Sequence, residues 1–158
     1  MRLAKKVYKL LKQKGLKVAT AESCTGGMLA SSLVGVPGAS DIIDMSFVTY
    51  SYDAKCNILG VSMDTINTYN VVSEEVAREM VTGASKVSGA KVALSTTGVA
   101  GPTGGTKERP VGMVCFGILY NDKIYTYTHK FWNISRTYIR KASVRFCLKK
   151  LLALLKDN

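Results

Sequence analysis

At 158 residues, with 47% hydrophobic and 21% charged residues, the chain has the size and composition of one compact globular domain with a substantial core. No apolar run approaches the roughly 20 residues of a membrane-spanning helix, and Met1-Arg2-Leu3-Ala4-Lys5-Lys6 lacks the apolar centre of a signal peptide, so a soluble cytoplasmic protein is expected. The formal net charge of +11 fits nucleic acid, a membrane surface or an anionic small molecule as partner, although much of it falls on two helix-like segments where Lys and Arg also serve as a solvated face.

Leu3, Val7, Leu10 and Leu11 recur at helical spacing ahead of Gly15, which predicts an opening amphipathic helix with a glycine cap. Lys17 to Ala21 reads as a short strand and Gly26 to Leu33 as a helix, placing Glu22-Ser23-Cys24-Thr25-Gly26-Gly27 at a strand-to-helix turn. Gly35-Val36-Pro37-Gly38 ends that helix. Phe47-Val48-Thr49-Tyr50 predicts a second strand and Ala54 to Leu59 a short helix, so Tyr50 and Lys55 flank another junction of the same kind. Ser73 followed by Glu74 and Glu75 predicts a capped helix to about Val87, and Val92 to Thr97 a buried strand. The glycines and prolines between Gly98 and Pro110 predict a long loop. Val111 to Leu119 and Ile124 to Thr128 flank a hairpin turn at Tyr120-Asn121-Asp122-Lys123, and Ser135 caps a last helix reaching Leu155. Helices alternating with strands and ending in a hairpin predict one layered α/β domain over residues 1–158, with a mixed, largely parallel sheet flanked by helices.

A serine on a sharp turn before a helix is presented to solvent, with free helix-start amides near it to stabilise an oxyanion. Ser23 is therefore a candidate nucleophile, or else simply the helix cap. Its base must come from elsewhere. His129, in a strand between Thr128 and Lys130, is a poor candidate; Lys55 is better, because adjacent parallel strands bring the two junctions together, and the competing reading is a solvated helix residue. A lysine acts as a base only when burial or nearby positive charge lowers its pKa. Tyr50 is placed to hydrogen-bond the serine or the lysine, and Cys24 is the rival nucleophile. The four cysteines lack CxxC spacing and are read as reduced thiols, with Cys115 and Cys147 in the core. With one histidine and no acids at ligand spacing, neither a metal site nor a cofactor is expected.

Beyond these readings, Thr20-Ala21-Glu22-Ser23-Cys24-Thr25-Gly26-Gly27, Val48-Thr49-Tyr50-Ser51 with Ala54-Lys55, Leu59-Gly60-Val61, Val72-Ser73-Glu74, Thr97-Gly98-Val99-Ala100-Gly101-Pro102 with Gly104-Gly105, and Pro110-Val111-Gly112 together resemble the CinA C-terminal family. The resemblance is ordered and spans nearly the whole chain. It implies hydrolysis of the carboxamide of nicotinamide mononucleotide to nicotinate mononucleotide and ammonia, a pyridine nucleotide salvage step. It also implies Ser23 as nucleophile, Lys55 as base and Tyr50 as an assisting hydroxyl. Thr25, Gly26 and Gly27, together with Thr97, Gly98 and Gly101 of the glycine-rich loop, would line the pocket, and Arg136 and Arg140 would hold the substrate phosphate. Ile134-Ser135 stand before Arg136 where the family commonly has Gly-Asp, Asn70-Val71 where it has Gly-Ala, and Ser46 where it has glycine. The resemblance further implies a homo-oligomer, at least a dimer. The alternative within the family is a non-catalytic module that binds a nucleotide or a protein, linked to competence or DNA damage. Nucleic acid is not expected as a partner, since no helix-turn-helix, RNP-type aromatic pair or zinc module accompanies the charge.

Overall fold

The computed structural model describes residues 2–157. Helix α1 (Arg2–Gln13) buries Ala4, Val7 and Leu11 along one stripe and closes at Gly15, whose left-handed φ of 63° lets the Leu16 N–H bond back to the Leu11 carbonyl. Strand β1 (Val18–Glu22) is buried at every position, as a central strand covered on both faces must be. After α2 (Met28–Val34) and a 3-10 turn (Ala39–Asp41) comes β2, which is shorter than the sequence suggests: it spans Ser46–Val48, and Thr49 makes only one further backbone bond, to the Glu22 carbonyl. Ser51 caps α3 (Tyr52–Leu59), two residues earlier than expected. A short α4 (Met63–Tyr69) has no counterpart in the sequence pattern, because Ile66 is its one buried residue and no periodicity marks it.

Helix α5 (Glu74–Ser88) begins at the Ser73 cap, and β3 (Val92–Gly98) comes after it. Strands β4 (Met113–Tyr120) and β5 (Lys123–Lys130) join through Asn121 and Asp122, both at positive φ, in the tight two-residue form that matches strand twist. Ser135 caps α6 (Arg136–Lys156).

The strand order is β2-β1-β3-β4-β5. β1 pairs in parallel with both β2 and β3, while β4 pairs antiparallel with β3 and β5, so β4 alone opposes the common direction. One face, with Val18, Leu94, Phe116 and Ile118, packs under α1, α2 and α6. The other, with Ala19, Ala21 and Ala93, packs under α5, flanked by α3 and α4. Small alanines let these helices approach closely, and Gly83 of α5 lies so near Leu59 that an added Cβ would overlap the Leu59 carbonyl. Cys115 and Cys147 are buried core thiols, as expected. No helix is long and apolar enough to cross a membrane.

Candidate functional site

The parallel pairing of β1 with β2 sets the ends of both strands side by side, with Glu22 opposite Val48. The segments leaving the two strands must therefore share one sheet edge. The segment after β1 turns sharply through Gly26 and Gly27, at φ 55° and 91°, a backbone that side chains with a Cβ adopt only under strain. The segment after β2 runs through Thr49 and Tyr50 into α3, which carries Lys55 in its first turn and a half.

Lys55 is 1% exposed, and its Nζ lies 3.0 Å from Ser23 Oγ, 2.8 Å from the Thr49 carbonyl and 3.5 Å from the Tyr50 carbonyl. Both ion pairs found among the described residues lie elsewhere, at Lys12–Asp41 and Lys17–Asp44, so no carboxylate offsets the enclosure of this amine. Burial lowers the Lys55 pKa from 10.5 to about 8, with Cys24 and Cys56 opposing weakly. Lys55 is thus an enclosed amine, not a solvated helix residue. Nor is Ser23 the cap of α2: Gly27 holds that position with no side-chain cap, while the Ser23 hydroxyl contacts Lys55.

The residue that organises the turn is Glu22, for which the sequence offers no role. Fully buried, its carboxylate accepts hydrogen bonds from the Thr20 and Thr25 hydroxyls and from the backbone N–H groups of Gly27, Leu29 and Ala30. Because Thr25 gives its proton to Glu22, its contact of 2.7 Å with Thr96 Oγ1 has Thr96 as donor. The helix-start amides expected to serve an oxyanion are therefore already taken. The Thr25 N–H enters no hydrogen bond among the described residues and the Cys24 N–H meets only its own thiol, so these two are the turn's remaining donors. A further feature without a sequence signal is Thr49 Oγ1, the one buried side-chain oxygen without a partner among the described residues, adjoining the carbonyl that holds Lys55.

Cys24 is 5% exposed in the core beneath α2, and burial pushes its thiol up to about 12, which removes the thiolate a rival nucleophile would need. Tyr50 is 60% exposed, and its hydroxyl accepts from Arg136 Nη2 at 2.9 Å, so Tyr50 touches Lys55 through its carbonyl and not through the expected hydroxyl. Arg136 Nη1 donates to the Gly101 carbonyl at 2.8 Å, which ties the glycine-rich loop to Tyr50 at the rim. Arg140 differs from expectation: its Nε and Nη2 donate to the Cys24 and Thr25 carbonyls at 3.0 and 2.9 Å, and Nη2 lies 3.1 Å from where a Gly26 Cβ would stand. Two arms of its fork clamp the serine turn instead of facing open space.

Thr97 and Gly98, expected in the pocket lining, also make contacts within the fold. The Thr97 hydroxyl donates to the Val71 carbonyl, and a Cβ on Gly98 would come within 2.6 Å of Val114. Strand alternation explains the exchange, since Thr96 faces the serine turn and Thr97 the opposite side. His129 stacks on Phe146 away from this edge. Among the described residues no group of three metal-ligating side chains forms.

The CinA C-terminal domain family matches residues 1–155. A CinA-like protein of Chloroherpeton thalassium is 46% identical over 136 residues, covering 84% of this chain and 32% of its own length. The chain spans about a third of the length of the curated relatives it matches. Among solved structures, the competence/damage inducible protein CihA from Agrobacterium tumefaciens superposes with a TM-score of 0.94 at 41% identity, covering 97% of this chain and 93% of that one. A competence-damaged protein (CinA) superfamily protein from Klebsiella pneumoniae gives a TM-score of 0.95 at 34% identity, covering 99% and 98%. With the family match over residues 1–155 and solved members superposing over nearly all of it, the chain belongs to the CinA C-terminal domain family.

Proposed function

We propose that the chain is an amidohydrolase that cleaves the carboxamide of nicotinamide mononucleotide, with Ser23 as nucleophile and Lys55 as its base. The observation that carries this reading is the enclosed contact of 3.0 Å between Lys55 Nζ and Ser23 Oγ. A neutral amine has two N–H donors and one lone pair. The Thr49 and Tyr50 carbonyls accept only, so they take the N–H groups and leave the lone pair directed at the serine hydroxyl. A pKa of about 8 keeps a useful fraction of the amine neutral near neutral pH while leaving it basic enough to take a proton.

In the proposed sequence Ser23 Oγ attacks the carboxamide carbon as its proton passes to Lys55 Nζ. The oxyanion is received by the N–H groups of Cys24 and Thr25. The Lys55 ammonium then protonates the amide nitrogen, the carbon–nitrogen bond breaks, and ammonia leaves an acyl ester on Ser23. Water attacks this ester and gives its proton to neutral Lys55, and the departing Ser23 oxygen takes that proton back. Arg136, exposed at the rim between the loop and Tyr50, would hold the substrate phosphate through the N–H donors that its bonds to Gly101 and Tyr50 leave over.

Incubation of the purified chain with nicotinamide mononucleotide, monitored for ammonia and nicotinate mononucleotide, tests the proposal. Equal amounts of both products support it, and the absence of both overturns the substrate assignment.

A further inference from the structure

Away from Ser23, helices α1 and α6, with Ser32 of α2, line an open cavity of about 630 Å³ with a one-sided charge arrangement. Arg2 and Lys6 stand four residues apart on α1, and Lys141, Arg145 and Lys149 stand at the same interval on α6; all five line the cavity and all five are exposed. No acidic residue lines it. Like charges at this spacing repel along a helix, and cations in the first turn of α1 oppose its dipole, where no acid is present to compensate. Among the described residues none of the five enters an ion pair. The floor is apolar, made by Val144 and Leu148 with the edge of Leu3.

We infer that this cavity is a binding site for a small organic polyphosphate, its phosphates held by the five cations and its organic body set against Val144 and Leu148. The charges on the two rims gain by neutralisation, which is what an occupant with several negative charges supplies. The volume falls in the range of small-molecule sites. A nucleic acid strand fits less well, because no aromatic side chain lines the cavity for base stacking. The Arg136 rim is a separate place, so binding here is independent of the proposed hydrolysis.

Calorimetric titration of the full chain at fixed salt with inorganic tripolyphosphate, magnesium-free ATP, adenosine and a short single-stranded oligonucleotide tests the inference. Tripolyphosphate and ATP should each saturate a single site, ATP more tightly because its body covers the apolar floor, and adenosine should give no heat. The double variant Arg145→Glu/Lys149→Glu should weaken both by about tenfold or more. Amide shifts of the wild-type chain on adding ATP should localise to Arg2 to Lys6, Ser32 and Lys141 to Lys149, a readout that does not depend on any variant folding. The inference is overturned by no saturable polyphosphate binding, by shifts that centre on Ser23 and Arg136, by affinity indifferent to the double reversal in a folded variant, or by an oligonucleotide that binds more tightly than ATP.

Discussion

Lys55 is almost fully enclosed, yet carbonyl and hydroxyl oxygens surround its amine where a buried lysine would ordinarily have a carboxylate. Its folded pKa of about 8 lies below the 10.5 of an exposed lysine. Between those values the unfolded chain holds more protons than the folded one, so stability rises with pH across that window; below it the full cost of burial is present, roughly 3 kcal/mol. The unfolding free energy of the wild type relative to Lys55→Met should therefore rise by about 2–3 kcal/mol between pH 7 and pH 10. A flat difference would mean that Lys55 titrates normally. The same neutral amine is the proposed base, so kcat/KM should climb with pH through about 8 and then level. A rate that falls over this interval would point to a protonated acid in that role.

At the scale of elements, the turn between β1 and α2 depends on contacts that sequence spacing hides. Two junctions after parallel strands, the glycines at the turn and a serine beside a lysine are all legible, because they stem from periodicity and from the rule that parallel strand ends cluster. Glu22 is not, since its amide partners lie five to eight residues ahead and are reached only once α2 has formed. Glu22→Gln replaces an acceptor with a donor against these amides and should destabilise the chain by about 2–3 kcal/mol while lowering kcat. Unchanged melting would contradict the role of Glu22 in holding the turn and the first amides of α2. The clamping role of Arg140 is hidden for a similar reason: its acceptors are 115 and 116 residues away in sequence. Arg140→Ala should accordingly lower kcat by about tenfold or more through loss of turn geometry, whereas Arg136→Ala should chiefly raise KM with kcat nearly kept. Equal effects of the two variants on KM alone would return Arg140 to the substrate.

Across the whole molecule, the sheet order puts the site at the β1–β2 side, where β2 is a short edge strand with Met45, Val48, Tyr50 and Tyr52 exposed near it. An exposed apolar edge of this kind calls for cover, and we propose self-association there. Light scattering on the purified chain should give at least twice the monomer mass of 17.1 kDa, and Val48→Lys should reduce it; a monomer at micromolar concentration would contradict this. The fold class and layers can be read from the alternation of strands and helices, whereas α4 cannot, having a single buried residue. Activation of Ser23 by an enclosed lysine is tested by one comparison: turnover of nicotinamide mononucleotide by Ser23→Ala and Cys24→Ala in one assay with a chelator present. Ser23→Ala should be inactive although folded, and Cys24→Ala, which loses only a buried thiol, should keep most of its turnover. An active Ser23→Ala beside a dead, folded Cys24→Ala would contradict it.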